Sequence, residues 1–301
     1  MPIFRRHSLL ATLSMASLVA AASSISGCGG AASSGSTAVT SARPSPEAPI
    51  ARTNAHDALT AAVAGPQRTE RERARDVYRH PVETLEFFGL TKETKALEVS
   101  PGGGWYTAIL APTLKDHGEL AITSADPNGP PDDEGTRDAR ARATRFAAAP
   151  DAFGKVRTVV VGSPRSYGPD GSEDMVLVFR NVHNWVADGS LPAILAAIHR
   201  VLKPGGVLGV EAHRANPGAR TDAKAADDTG YLPEAFVVQS IEAAGFKLVA
   251  RSEINANPKD TKDHPKGVWT LPPSFALGDV DRAKYAAIGE SDRMTLKFVK
   301  L

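Results

Sequence analysis

Short apolar runs alternate with stretches of helical spacing between residues 67 and 301. Runs of strand length predict seven strands, at 95–99, 120–124, 156–161, 174–179, 207–210, 246–250 and 294–299. Between them, apolar positions three or four residues apart predict helices, at 105–111, 136–146, 190–202 and 233–244. The run from Met175 to Phe179 is apolar at every position, which is typical of a strand buried on both faces. The pattern therefore predicts an α/β fold with a doubly wound, mostly parallel sheet and helices on both faces.

Two polar regions flank this alternation. Residues 255–292 are long, charged and rich in proline, which is typical of a functional lid or an added subdomain. Before the first strand, residues 70–78 and the segment that begins at Pro81 are predicted to be helical. Five side chains near their junction either cap a ligand cleft or form a solvated helix face: Arg75, Asp76, Tyr78, Arg79 and His80.

A glycine-rich turn follows the first strand. The strand contains the acidic Glu98, and Gly102 to Gly104 come directly before the helical pattern that starts at Trp105. In doubly wound sheets, ligands lie at the carboxyl ends of the strands, where glycine lets them approach the backbone. The free N–H groups of the following helix favour an anionic or polar group there. The turn therefore predicts a binding cleft, although glycine-rich turns alone are common.

Asp126 follows the second strand, 22 residues beyond Gly104. An acid at about this distance holds the ribose hydroxyls of nucleotide cofactors in related architectures. A second interpretation is equally open: Asp126 precedes Pro127, Asn128 and Gly129, a sequence typical of a turn.

Dense polar groups follow the fourth strand, from Arg180 to Trp185. A strand's carboxyl end places such groups in the cleft, so this segment is predicted to form a loop at the reactive face. His183 is either a base or a donor that holds a neighbouring loop. A purely structural corner is the alternative.

The first residues have the order of a secretory signal. Arg5 and Arg6 precede an apolar stretch rich in small residues, and residues 1–27 are predicted to be removed. Ile25 to Cys28 resemble a bacterial lipobox, which predicts a lipid anchor on Cys28; an ordinary signal peptide with an incidental cysteine is the alternative. Residues 28–66 are predicted to be a flexible tether, and residues 67–301 the folded domain. Gly29 after the cysteine favours a periplasmic protein anchored to the outer membrane.

Composition excludes some functions. A net charge of +1 gives no sign of nucleic-acid binding. Cys28 is the single cysteine, so no internal disulfide is possible. The eight histidines show no spacing typical of metal ligands, so no metal site is expected.

Three motifs, in the right order, resemble the class I, seven-stranded S-adenosylmethionine-dependent methyltransferases. They are the glycine-turn segment 97–104, the Lys-Pro-Gly-Gly segment 202–208 and the Gly-Phe segment 243–249. The resemblance implies a Rossmann-like sheet whose last strand is antiparallel, S-adenosylmethionine as cofactor, and methyl transfer to a small-molecule acceptor. More narrowly, segments 78–81, 179–185 and 254–258 resemble a group of exported bacterial methyltransferase-like proteins.

The resemblance also implies roles for individual residues. The predicted cofactor-binding set is Glu98, Ser100, Gly102, Gly103, Gly104, Trp105, Asp126, Ser163 and Arg180. The predicted catalytic set is His183, Asn181 and Asn184, with His183 as base if the acceptor is a hydroxyl. Methyl transfer is an in-line displacement, so the protein has to position the acceptor and exclude water.

Two departures from the family pattern leave other functions open. Ser100 stands where the first glycine is usual, and Gly162 and Ser163 stand where an adenine-reading acid is common. A hydroxyl accepts that hydrogen bond more weakly than a carboxylate does. A non-catalytic binding protein on the same scaffold is therefore the first alternative. An NAD-dependent oxidoreductase is the second, although the 203–206 turn argues against it.

Overall fold

The computed structural model describes residues 50–162 and 165–301. The predicted signal peptide, Cys28, most of the predicted tether and Ser163 lie outside these residues. Within them, no helix is both long enough and apolar enough to cross a bilayer.

Seven strands form one sheet in the described residues: Lys95–Val99 (β1), Glu119–Ser124 (β2), Arg157–Val160 (β3), Glu173–Phe179 (β4), Leu202–His213 (β5), Phe246–Ser252 (β6) and Arg293–Lys300 (β7). Their order is β3-β2-β1-β4-β5-β7-β6. The first five strands run parallel, and β7 is antiparallel to both β5 and β6. The predicted fold class and all seven predicted strands are confirmed, with boundaries that shift by a few residues.

Twelve α-helices and one 3₁₀ helix, Gly267–Thr270, accompany the sheet in these ranges. The α-helices are His56–Ala64 (α1), Glu70–Arg73 (α2), Asp76–Arg79 (α3), Pro81–Phe88 (α4), Thr107–Leu114 (α5), Glu134–Ala148 (α6), Pro150–Phe153 (α7), Val182–Ala187 (α8), Leu191–Val201 (α9), Ala223–Thr229 (α10), Glu234–Glu242 (α11) and Arg282–Ile288 (α12).

Apolar side chains cover both faces of the sheet. Val176 and Val178 of β4 belong to a core cluster with Ile194 and Ile198 of α9. Met175, Leu177 and Phe179, which alternate with them, belong to a second cluster with Ile109 of α5. Because successive residues of a strand point to opposite faces, a strand covered on both sides must be apolar throughout. This explains the continuous run in the sequence.

The tether prediction is wrong for the residues around α1. Ala55, Leu59 and Ala62 are buried in the core cluster that contains α5. The His56 ring also bonds Glu86 of α4 at 3.0 Å. Leu59 and Val63 are the two large apolar residues that pack this short helix on the core, and the small-residue composition of the segment hid it.

The first helix of the sheet does not end at Pro112, as expected, but continues through it to Leu114. Proline has no N–H to give to the carbonyl four residues earlier. Here that carbonyl, of Ala108, accepts a hydrogen bond from the Gln67 side chain at 2.8 Å. A residue 41 positions away along the chain therefore satisfies the group that proline leaves unpaired.

The segment after β4 is a helix and not the predicted loop. Val182, Trp185 and Val186 pack on the core from one face of α8. Their three- and four-residue spacing is helical, but the polar residues between them concealed it. The predicted lid, 255–292, likewise contains the 3₁₀ helix and α12.

Candidate active site

The glycine turn lies at the carboxyl end of β1 in a strained conformation. Gly102 and Gly104 have positive φ angles of 54° and 77°, and Ser100 has a φ of 54°. A left-handed backbone costs a non-glycine residue about 1 kcal/mol, so Ser100 adopts a conformation that glycine would adopt more easily. Its amide donates to Thr123 Oγ1 of β2 at 2.8 Å. A side-chain carbon added at Gly102 would meet no atom within 4 Å, so the backbone there faces open space.

Two arginines of α6 hold the carbonyl groups of this turn. Arg142 donates to the Gly102 carbonyl at 3.0 Å and to Ser124 Oγ at 2.8 Å. Arg145 donates to the Gly103 carbonyl at 2.9 Å. Sequence reasoning missed both, because the apolar stripe of this helix drew attention to its alanines. Their spacing of three residues, which places them on one face of a helix, was the available signal.

A cavity of about 440 Å³ opens beside the turn. The carboxyl ends of β1 and β2 and the start of α8 form its wall, as expected for a doubly wound sheet. Its lining consists of Ser100, Pro101, Gly102, Thr123, Ser124, Ala125, Gly135, Asp138, Arg142, Val161, Arg165, Tyr167 and Asn181. We refer to it as the first cavity.

Asp126 does not line the first cavity. It is exposed, and its Oδ1 accepts a hydrogen bond from the Asn128 amide at 2.8 Å. This is the contact that the turn interpretation predicts. Among the described residues, the carboxylate that lines the cavity is Asp138 of α6. The sequence did not point to Asp138, because an acid of this kind is expected directly after the second strand and Asp138 lies further along the chain, in α6.

Other predicted cofactor residues are divided between the lining and the interior. Ser100 and Gly102 line the first cavity, whereas Gly103 and Gly104 do not. Trp105 is buried, and the guanidinium groups of Arg68 and Arg79 lie 4.9 and 4.8 Å from the centre of its ring. It does not line the first cavity.

Glu98 also lies behind the cavity wall. Its side chain is fully buried and accepts a hydrogen bond from Thr107 Oγ1 of α5 at 2.5 Å. Burial raises the pKa of this carboxyl to about 7, against the opposing effects of the Thr107 hydrogen bond and of the nearby Arg180 and Arg142 charges. The side chain therefore ties β1 to α5, and its predicted contact with a cofactor stays a prediction.

The residues after β4 point to two different places. Asn181 lines the first cavity and donates to the Ser100 carbonyl at 2.8 Å. Arg180, predicted to bind cofactor, lines a second cavity instead and pairs with Glu211 of β5 at 3.0 Å. Its φ of 58° turns the chain sharply at the strand end, and its amide donates to the Glu211 carbonyl at 2.7 Å. This turn directs Arg180 and Asn181, which are adjacent in the sequence, into two different cavities.

The second cavity has a volume of about 280 Å³. His183 and Asn184 line it, together with residues of α3, β5 and the 255–292 segment. Asn184 donates to Asn181 Oδ1 at 3.4 Å, so one hydrogen bond joins the linings of the two cavities. The predicted catalytic residues therefore lie near one another, although Asn181 faces a different cavity from His183 and Asn184.

His183 is 6% exposed, and its Nδ1 is buried without a hydrogen-bond partner among the described residues. Its ring centroid lies 5.3 Å from that of His213 and 5.8 Å from that of Trp269. Burial, and secondarily the charge of Arg180, lower the pKa of His183 to about 4. The ring is therefore neutral at pH 7, with one nitrogen available to accept or donate.

Metal-ligating side chains do not cluster in residues 50–162 or 165–301: no three His, Cys, Asp or Glu residues come together there as a possible site.

Comparisons with known proteins address the class of this domain. Residues 97–210 match the family described as "Methyltransferase domain". No curated protein matches the sequence. A SAM-dependent methyltransferase from Aquifex aeolicus has a similar structure, with a TM-score of 0.50 and 15% identity over 76% of this chain and 93% of that one. The [4+2]-cyclase SpnF is similar as well, with a TM-score of 0.50 and 17% identity over 82% of this chain and 93% of that one.

The strand order and the antiparallel β7 define the fold class, and the domain match is similarity over part of the chain. The described residues have the class I methyltransferase fold, and residues 97–210 match the methyltransferase-domain family. The resemblance found in the sequence is confirmed at this level. The glycine turn and the Lys-Pro-Gly-Gly segment both fall within the matched range.

Proposed function

We propose that this protein transfers a methyl group from S-adenosylmethionine to a small-molecule acceptor. The first cavity would hold the cofactor and the second cavity the acceptor. The observation that carries the proposal is that both cavities open at the carboxyl ends of the parallel strands and share the Asn181–Asn184 hydrogen bond. A group bound in one cavity is thereby adjacent to a group bound in the other.

The first cavity suits the cofactor in size and chemistry. Its volume of about 440 Å³ lies within the roughly 300–1,000 Å³ common for ligand sites. The open backbone at Gly102, the hydroxyl of Ser124 and the carboxylate of Asp138 supply the polar contacts. A carboxylate can accept hydrogen bonds from both hydroxyls of a ribose. When bound, S-adenosylmethionine supplies an activated methyl group on a sulfonium centre.

His183 would manage the proton when the acceptor carries a hydroxyl. A cofactor held in the first cavity would supply the methyl group to the acceptor oxygen and would leave as S-adenosylhomocysteine, with the electron pair of the broken carbon–sulfur bond. The hydroxyl proton would pass to the neutral His183 ring, whose Nδ1 has no partner in the described residues. The ring is 6% exposed and lies against Trp269, which would limit the access of water and favour the displacement over side reactions.

Calorimetry on the purified chain tests cofactor binding. S-adenosylmethionine and S-adenosylhomocysteine should bind, and NAD should not. Ala125→Trp places an indole in the lining of the first cavity and should abolish this binding. Ala143→Trp makes the same change at an exposed position of α6 outside the lining and should leave it intact. Heat with NAD alone would overturn the proposal.

A pair of asparagine variants tests the ribose contact. Asp138→Asn should weaken binding of S-adenosylhomocysteine by tenfold or more, since hydrogen bonds to charged groups contribute about 1.5–3 kcal/mol. Asp126→Asn should have a small effect, because that side chain bonds within its own turn. The reverse ranking would restore Asp126 as the ribose ligand and contradict the role given to Asp138.

A second candidate function is a binding protein that uses this scaffold without methyl transfer. The structure of SpnF, which is a cyclase, is similar to that of this chain. One fold can therefore serve different chemistries, and the fold alone does not establish methyl transfer. Product analysis separates the two candidates. Binding of S-adenosylmethionine without S-adenosylhomocysteine formation, across a panel of acceptors, would support the binding protein.

Export and anchoring are part of the proposal. The predicted signal in residues 1–27, the lipobox-like Ile25 to Cys28 and the likeness to exported methyltransferase-like proteins support a periplasmic protein with a lipid on Cys28. Cells fed an alkyne-bearing fatty acid should label the wild type and not Cys28→Ser. Equal labelling of both, or of neither, would contradict lipidation at this residue.

A further inference from the structure

The second cavity contains more positive than negative charge. Arg75, Arg79 and Arg180 line it, and Glu290 is the one carboxylate in its described lining. Glu290 receives hydrogen bonds from Arg75 Nε at 2.6 Å and from Arg79 Nε at 2.9 Å.

The excess of positive charge persists when the residues behind the lining are included. Glu211 pairs with Arg180 and lies 3.2 Å from Arg293, which also pairs with Glu290. Four arginines therefore share two carboxylates. Arginine stays protonated in proteins, so the cluster carries an excess of two positive charges. Such an excess is costly to bury unless an anion compensates it.

The guanidinium groups that line the cavity retain unused donors. Within the described part of the chain, protein hydrogen bonds use only Nε of Arg75, Nε of Arg79 and Nη1 of Arg180. Two nitrogens of each group therefore remain available. The Arg79 guanidinium is also fixed against the Trp105 ring at 4.8 Å, and that of Arg180 near the Tyr106 ring at 5.8 Å. The donors are therefore held in place before any ligand arrives, which reduces the ordering cost of binding.

The remaining lining combines the polar Asn184, Ser274 and Ser291 with apolar and aromatic side chains. Trp269, Pro272 and Pro273 form one side, and the neutral His183 lies beside Trp269. A ligand that fills about 280 Å³ of such a cavity is small and carries an apolar or flat portion next to its charged group.

We infer that the second cavity binds a small acceptor bearing an oxyanion, a carboxylate or a phosphate, on the guanidinium groups of Arg75, Arg79 and Arg180. Planar guanidinium groups match the paired oxygens of both anions, which makes arginine the usual side chain for this recognition. The description of the ligand as the methyl acceptor rests on the proposed function. The anion site itself does not.

The test uses three probes of similar shape on the purified chain: benzoate, phenyl phosphate and the neutral benzamide. Calorimetry should give benzoate or phenyl phosphate a Kd at least tenfold below that of benzamide, and the stronger of the two names the oxyanion. Arg75→Gln should weaken the preferred anion by tenfold or more, since a charged hydrogen bond is lost. Arg71→Gln is the matched control, an exposed arginine of α2 outside the lining, and should leave the affinity unchanged.

Equal binding of benzamide and the anions would overturn the inference, as would equal effects of the two arginine variants. If Arg75→Gln does not fold, the inference is tested by the wild type alone, through its affinity for benzoate or phenyl phosphate relative to benzamide. Separate titration with S-adenosylmethionine keeps the two proposals distinct. Anion binding without cofactor binding would contradict the proposed function and support the anion site, and the opposite result would contradict the anion site only.

Discussion

At the residue scale, Glu98 is a carboxyl group in an unusual environment. It is fully buried beside β1, with the Thr107 hydroxyl as its hydrogen-bond donor. Burial raises its pKa from about 4.5 to about 7. The folded protein therefore binds this proton more tightly than the unfolded chain does. Ionisation of Glu98 consequently lowers the stability of the fold as the pH rises from about 4.5 to about 7.

Glu98→Gln should remove this pH dependence, because a neutral amide keeps an oxygen for the Thr107 hydroxyl and does not ionise. Relative to the wild type, the variant should gain about 3 kcal/mol in free energy of unfolding between pH 4.5 and pH 8. Urea denaturation at the two pH values measures the change. Glu83→Gln, at an exposed position of α4, is the control and should show no such trend. If the free energy of unfolding of Glu98→Gln differs from that of the wild type by the same amount at both pH values, the raised pKa of Glu98 is contradicted.

At the scale of elements, the strands were predictable and several helices were not. A strand buried on both faces needs a continuous apolar run, which the sequence displays directly, as in β4. α1 and α8 depend on contacts made by a few apolar residues among small or polar ones. Their helicity comes from packing, which local composition does not record.

Leu59→Ala tests whether α1 belongs to the folded domain. Leu59 is fully buried in the core cluster with α5, so the change should lower the free energy of unfolding by about 2–5 kcal/mol. Thr60→Ala alters the next residue, which is exposed, and should have an effect below about 0.5 kcal/mol. Chemical denaturation measures both. If Leu59→Ala and the wild type are equally stable, residues 56–64 do not contribute to the folded domain.

At the scale of the whole described domain, the two cavities differ in how far the sequence could predict them. The glycine turn of the first cavity is local, so its position could be read from residues 97–104. The second cavity joins the segment before β1 to the segment before β7. Arg75 and Glu290 are 215 positions apart, and Arg79 and Glu290 are 211 apart. No local pattern pairs such residues, so the arginines near the start of the domain were equally consistent with a solvated helix face.

Glu290 is the residue on which this long-range junction depends, because it accepts from Arg75, Arg79 and Arg293. Glu290→Gln should lower the free energy of unfolding by about 3–5 kcal/mol, since it leaves mostly buried cations without their shared anion. Inorganic phosphate should restore part of the loss by binding the folded state, and chloride at equal ionic strength should restore less.

Thermal and urea unfolding in the two salts measure this recovery, with Glu83→Gln as an exposed carboxylate control. If the stability of Glu290→Gln equals that of the wild type, water compensates the charges of these arginines. If phosphate and chloride restore stability equally, ionic screening and not a bound oxyanion stabilises the arginines. Selective recovery by phosphate would place a bound anion at the junction of the two segments. In that case the charge that stabilises the fold and the charge that selects the ligand belong to one cluster, because Arg75 and Arg79 both bond Glu290 and line the cavity.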